Sequence, residues 1–434
     1  MVLLVIDTSI ARLYTIIYGN VFYGNTFDNS VIWNVLGFAL ITTTCMIIQY
    51  FLDALKVVAN KTKQESMKGH LHLGKVQKLV SGIQYTIIAL FISITLQMVF
   101  TSSYNTVVLA ATIGVSYTLG AIMMGYLALK FYLWFNINKN TVILAYTLAS
   151  VALCANIAIT LVYVLDLLAD QPLIMRPHIG HMAAAISENS IPYLGYVSSG
   201  IIAFILTWIA TSLLMRHHSA RLGKVKYWLI VCIPLGYFLG QFAPSLLNLF
   251  YEFRASDPVT FGIVYNLIFG LSKVVGGMLF GIAFWTIARR LGQIQVREYM
   301  VISAYGLILL FVSNQAIFLV NYNYPPFGFA TISYVGFSCF LVMIGIYSAA
   351  ISAGQDVELR KLIRKSAQQE AGLLQQIASA EMEQQITKTV LAIARRNKAV
   401  MREETGLATS LEDEEVVRYT KEVLQEVMKE KARK

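Results

Sequence analysis

Apolar runs of bilayer length, separated by short polar turns, recur along most of the chain. They fall at about 31–51, 82–100, 106–134, 141–167, 195–215, 227–250, 261–288, 300–320 and 328–352. Each is near the ~20 residues that a helix needs to cross a membrane. The pattern predicts an all-α polytopic membrane protein with nine transmembrane helices. Pro234 and Pro244 are expected to kink or break the sixth span, because proline removes a backbone donor and clashes with the preceding turn. Residues 1–30 set Asp7, Arg12 and Asp28 among apolar and aromatic positions. That mixture predicts a helix lying at the membrane interface rather than a tenth span.

After the last run the pattern changes. A seven-residue frame from Leu359 puts Leu359, Ile363, Leu373, Ile377, Ala380, Leu391, Ala394 and Met401 on one seam. Ser366, Glu370, Gln384, Thr387 and Lys398 share that seam, so the coiled-coil or helix-packing signal is modest. Gly406 interrupts it, and Ser410 with Asp413 marks the start of a second helix running to about Glu430. The chain thus divides into an interfacial segment (1–30), a transmembrane domain (31–353) and a cytoplasmic helical or coiled-coil tail (354–434).

Charge orients the bundle. The alternate loops 52–80, 130–140, 216–226 and 289–298 hold fifteen Lys and Arg residues, whereas the opposite side holds Arg12, Arg176 and Arg254. Basic residues collect in cytoplasmic loops, so the N-terminus is expected outside and the C-terminus inside. This also accounts for the net charge of +10 without nucleic acid. Only 13% of residues are charged, 57% are hydrophobic and the mean hydropathy is +0.62, far from soluble-domain composition. Cys45, Cys154, Cys232 and Cys339 all lie in apolar runs without CxxC spacing, which implies neither a disulfide frame nor a zinc site. Three inner segments carry related pentapeptides, HLGKV (72–76), RLGKV (221–225) and RLGQI (290–294). They read either as recurring basic glycine turns or as the trace of tandem four-helix halves, 31–167 and 195–320, with a ninth helix added.

The seventh run, FGIVYNLIFGLSKVVGGMLFGIAFWTIARR, contains the candidate chemistry, because Lys273 lies near its midpoint. A lysine at the bilayer centre costs about 2.5–3.5 kcal/mol on insertion scales, so it is expected to face protein or a water-filled cavity. Helical spacing places Asn266 and Gly270, Gly276, Gly277 and Gly281 on its face, a surface that a second helix can approach closely. Gln241, Asn314 and Gln315 are the expected lining partners, and no carboxylate is expected at that depth. Lys273 then either fills a structural role, satisfied by carbonyls and amides, or binds or relays a ligand. A second cluster, Met175, His178, His181 and Met182, falls in the largest outer loop. Imidazole with thioether suits copper, although no third strong ligand stands nearby and an ordinary outer loop explains the run better.

Enzyme machinery is missing from the pattern. All six histidines precede the tail, which holds no Gly-rich phosphate loop, so a sensor kinase is excluded. No GxSxG, HExxH or paired-acid arrangement appears, and no cofactor is implied. The expectation is a non-enzymatic receptor, sensor or scaffold that couples the bundle to a protein partner or a second copy through residues 356–434. The alternative is a transporter or channel for an anionic or neutral small solute, with its site around Lys273. Membrane lipids are the other expected partner. From TSLLMRHHSARLGKVKYW through VSNQAIFLVNYNYPPFG to AGLLQQIASAEMEQQI, the second half of the chain resembles a group of uncharacterised multi-pass membrane proteins of ammonia-oxidising archaea. That resemblance implies an archaeal cell membrane and brings no activity with it.

Overall fold

The computed structural model describes residues 4–7, 9, 35–44, 47, 71–137, 139, 141–169, 171–176, 190–216, 223–246, 250–289, 294–315, 326–354, 388–399 and 413–432. The first half supplies α1 (Val35–Thr44), α2 (Leu71–Thr101), α3 (Thr106–Ile137), α4 (Thr141–Ala169) and α5 (Ile191–Arg216). Next come α6 (Lys224–Gly240), α7 (Ala243–Leu246), α8 (Tyr251–Ser256), α9 (Pro258–Phe269) and α10 (Ser272–Ala288). The last part is α11 (Ile294–Ser313), α12 (Phe329–Ser333), α13 (Val335–Gly354), α14 (388–399) and α15 (Asp413–Ala432). One short antiparallel pair, β1 (Tyr104–Asn105) with β2 (Ile174–Met175), ties the α2–α3 turn to the segment after α4.

Among the described residues, six helical stretches are long and apolar enough to cross a membrane. They lie in α2, α3, α4 and α5, across α9–α10 and across α12–α13. Their outer faces carry Phe100, Ile122, Val162 and Leu267, each more than half exposed. In water so much outward apolar surface would drive aggregation; in lipid it is the solvated face. The chain is a helical membrane protein. The polar residues within the spans are largely satisfied by their own helices. Thr95, Thr112, Thr147, Thr160 and Thr207 each donate their hydroxyl to the carbonyl four residues earlier, which removes the cost of a free hydroxyl in hydrocarbon.

Helices α3, α4, α5, α10, α11 and α13 touch in that order and close into a ring, with α6 packed on α5 and α10, and α2 packed on α3. The α12–α13 stretch is the most enclosed, with 89% of its apolar window buried. Small residues let α11 and α13 approach closely. A Cβ on Gly345 would stand 2.7 Å from Ser303 N and Tyr299 O, and one on Gly306 2.7 Å from Val342 N. Backbone meets backbone there, the usual way that membrane helices gain van der Waals contact.

Several boundaries differ from the hydrophobic pattern. Helix α2 starts at Leu71, so HLGKV (72–76) is helical rather than loop; the backbone bonds of a helix continue past the point where the apolar face stops. The sixth expected span ends at Gly240 instead of about 250, and Pro234 sits inside its continuous helix. The break falls at Gln241 because Pro244, at the start of α7, has no N–H to give the Gly240 carbonyl. The seventh span is two helices, α9 and α10, interrupted at Gly270–Leu271. The eighth ends at Ser313, not near 320, so Asn314 and Gln315 lie past its last turn.

Candidate functional site

Side chains of α6 and α9 satisfy the backbone at the helix ends near Gln241 and Gly270. At the end of α6, the Gln241 carbonyl accepts a bond from Tyr265 Oη at 2.6 Å. The Gln241 side-chain Oε1 accepts from Ser272 Oγ at 3.1 Å. Tyr237 donates its hydroxyl to the Ile268 carbonyl, just before the α9–α10 interruption. Tyrosine hydroxyls therefore satisfy carbonyls at both breaks, the condition under which irregular backbone is tolerated at membrane depth.

Lys273 occupies the first turn of α10 and is half-buried. Its Nζ lies 3.4 Å from Tyr196 Oη and 5.3 Å from the centroid of the same ring, which gives the ammonium both a hydrogen bond and a cation–π contact. No carboxylate pairs with it among the described residues. Tyr196 is itself buried and stacks on Tyr163 of α4, with ring centroids 5.2 Å apart.

One helical turn on, α5 extends the network. Ser199 Oγ donates to the Tyr196 carbonyl at 3.1 Å and accepts from Asn156 Nδ2 at 3.0 Å. Asn156 Oδ1 in turn accepts from Asn314 Nδ2 at 2.8 Å. The polar chain Lys273–Tyr196–Ser199–Asn156–Asn314 thus joins α10, α5 and α4 to the end of α11. Its far end is open: Asn314 Oδ1 is buried without a hydrogen-bond partner among the described residues, and so are Tyr163 Oη and Tyr117 Oη. Tyr117 of α3 is fully buried and close enough to Tyr196 and Cys339 to interact with them electrostatically. A buried polar atom left unpaired costs about 1–3 kcal/mol. Gln84, Tyr146 Oη and Thr211 Oγ1 are buried without a partner among the described residues as well, and each such atom calls for an explanation.

The four residues expected around Lys273 are therefore divided. Asn314 joins its network through α4 and α5, and Gln241 bonds the neighbouring Ser272. Gln315 folds back on α11, with Nε2 3.2 Å from the Val312 carbonyl. Asn266 spends its amide on the Gly262 carbonyl of its own helix at 3.0 Å. The glycine face is shared between two neighbours: Gly276 meets Phe204 of α5, while Gly277 and Gly281 meet Phe311 and Ile308 of α11. Sequence reading missed Asn156, Ser199, Tyr163 and Tyr196. Asn156 left a signal, as an amide in the middle of the apolar helix α4; the tyrosines did not, because their hydroxyls need a fold to meet.

One carboxylate, Asp7, is buried away from Lys273. It is fully buried and accepts bonds from Gly328 N at 3.0 Å, Thr331 N at 3.1 Å and Thr331 Oγ1 at 2.8 Å. Burial pushes its carboxyl above the ordinary 3.8, while those three bonds pull it down. It caps α12 and belongs to that junction rather than to the Lys273 network. Of the outer-loop cluster, Met175 is buried in β2 opposite Tyr104; His178, His181 and Met182 lie outside the described residues. Among the described residues no group of three or more His, Cys, Asp or Glu converges as a metal site.

In the tail, Asp413 at the start of α15 pairs with Arg395 at 2.9 Å and Lys398 at 3.1 Å from α14. Lys398 first, then Arg395, hold its carboxyl below the ordinary 3.8. No protein-family model, curated protein or solved structure matches this chain.

Proposed function

We propose that the protein is a non-enzymatic membrane transporter or channel whose helical ring binds a small anionic or neutral solute. One observation supports this reading above the others. Tyr117 Oη, Tyr163 Oη and Asn314 Oδ1 are buried without partners in the interior that also receives the Lys273 ammonium. Hydroxyls and a cation donate to an anion or a carbonyl oxygen, and the Asn314 carbonyl accepts from a hydroxyl or amide. The breaks at Gln241, Gly270–Leu271 and Ser313 add the discontinuous helices that commonly surround such sites. Nine spans, an outer N-terminus, a cytoplasmic C-terminus and residence in the cell membrane complete the proposal, on the apolar runs and the side on which Lys and Arg collect.

The test is binding by the intact chain. In detergent, chloride, formate and acetate are titrated against glycerol and formamide while thermal unfolding is followed. Saturable stabilisation by at least one probe, weakened in the Asn314→Ala variant, supports the site. If every probe leaves the transition unmoved up to high millimolar concentration, the solute reading fails.

A receptor or scaffold remains the second reading, favoured by the tail alone. Helices α14 and α15 are tied by the Asp413 ion pairs, an arrangement suited to docking a protein partner or a second copy. Deleting residues 356–434 should then abolish partner capture, while leaving solute binding in the bundle intact.

A further inference from the structure

The charged end of α10 and α11 carries a second site, apart from the Lys273 network. Trp285 and Arg289 from α10, with Arg297, Glu298, Val301 and Ile302 from α11, enclose a cleft of about 540 Å³. The Arg289 guanidinium lies over the Trp285 ring at 4.7 Å. Stacking of that kind fixes the plane of the group and leaves its N–H edge free for a bidentate acceptor. Arg297 sits in the first turn of α11, where the positive end of the helix dipole also favours an anion. Among the described lining residues, two Arg and one Glu leave a net charge of +1.

The cleft opens onto an apolar track. Met278, Ile282 and Trp285 on α10 and Tyr305 on α11 are each more than a third exposed, and the Trp285 and Tyr305 rings lie 6.5 Å apart. This places two arginines and an interfacial tryptophan at the head of a greasy groove, at the end of the bundle where the basic loops collect. Free phosphate needs only the arginines; the groove gives reason to expect acyl chains as well.

We infer that this cleft binds the phosphodiester headgroup of an anionic glycerophospholipid, held by Arg289 and Arg297, with the acyl chains lying along Met278, Ile282 and Tyr305. Basic pockets between membrane helices on the cytoplasmic side are suited to such headgroups.

The experiment uses the purified full chain in a neutral detergent, titrated with dioleoyl-phosphatidylglycerol, dioleoyl-phosphatidylcholine or inorganic phosphate and read by native mass spectrometry and thermal shift. Phosphatidylglycerol should bind saturably and outlast phosphatidylcholine. Arg289→Gln and Arg297→Gln should each weaken it about five-fold, and together about thirty-fold. Lys139→Gln, a basic position on another loop, should leave it unchanged. Arg297 is exposed, so its single variant keeps the test open should the double variant fail to fold. Equal binding by wild type and Arg297→Gln overturns the inference, as does equal weakening by Lys139→Gln, which would indicate bulk surface charge. Saturation by inorganic phosphate alone, with no preference for the lipid, overturns the lipid assignment.

Discussion

Asn156→Ala is the perturbation that interrogates the buried network most sharply. The amide makes two interhelical bonds, accepting from Asn314 at 2.8 Å and donating to Ser199 at 3.0 Å. Interhelical bonds within membranes are worth about 0.6 kcal/mol on average and up to ~1.7. Their loss accounts for roughly 1–2 kcal/mol. The substitution also strands Asn314, which is 8% exposed and whose Oδ1 already lacks a partner; leaving its Nδ2 unpaired as well adds about 1 kcal/mol or more. The expected cost is therefore roughly 2–3 kcal/mol. Asn314→Ala removes one bond but also deletes the orphaned Oδ1, so it should cost less, about 1 kcal/mol. The double variant no longer contains the stranded amide and should cost roughly 1–2 kcal/mol, less than Asn156→Ala alone, a coupling of about 2 kcal/mol. Unfolding of the full chain in bicelles gives all four corners of this cycle. Additive singles, or Asn314→Ala costing more than Asn156→Ala, would refute the network as drawn.

Three further substitutions probe other parts of the account. Gly345→Ala pushes a methyl against Ser303 N and Tyr299 O at 2.7 Å, backbone that cannot yield without moving α11. A loss of about 1–3 kcal/mol is expected in thermal unfolding, while Gly114→Ala, with nothing within 4 Å, should be silent. Asp7→Ala removes the acceptor of Gly328 N and Thr331 N, while Thr331 Oγ1 keeps the Leu4 carbonyl, and about 1–3 kcal/mol should be lost by the same assay. Because burial raises the Asp7 carboxyl above 3.8, its contribution is fully present below 3.8 and declines as pH rises through the folded value. An Asp7→Asn chain should lack that slope in a pH series of melts. Asp413 has the opposite sign: its lowered carboxyl makes the α14–α15 contact complete above pH 3.8 and lost as pH falls through the folded value. Hydrogen exchange at residues 413–420 should rise in acid in the wild type, and be raised already at neutral pH in Asp413→Asn.

Membrane character and helical class were legible because both depend on local composition. Among the described residues, the apolar runs correspond to six stretches able to span a bilayer, and their lengths follow from bilayer thickness. Helix ends were harder to read. Gly240, Gly270 and Ser313 end or interrupt helices inside apolar runs, where hydropathy does not change and only backbone satisfaction decides. Lys273 stood out as a charge, but the group that meets it, Tyr196, comes from α5 and is backed by Tyr163 of α4. Tyr117, Tyr163 and Tyr196 look like ordinary apolar-run residues until the ring brings their hydroxyls together. Asp7 left no signal of its partners: only the fold brings it to Gly328 and Thr331, more than 300 positions away.

The central claim is that the interior around Lys273 and the unpaired hydroxyls carries a solute. Flux through proteoliposomes containing the full chain tests it most directly, with chloride, formate, acetate, glycerol and formamide as probes and with Lys273→Met and Lys273→Arg beside the wild type. The account predicts protein-dependent flux of at least one probe, reduced at least ten-fold (about 1.4 kcal/mol) by Lys273→Met and partly restored by Lys273→Arg. Flux that is present in the wild type and unchanged by Lys273→Met would contradict it.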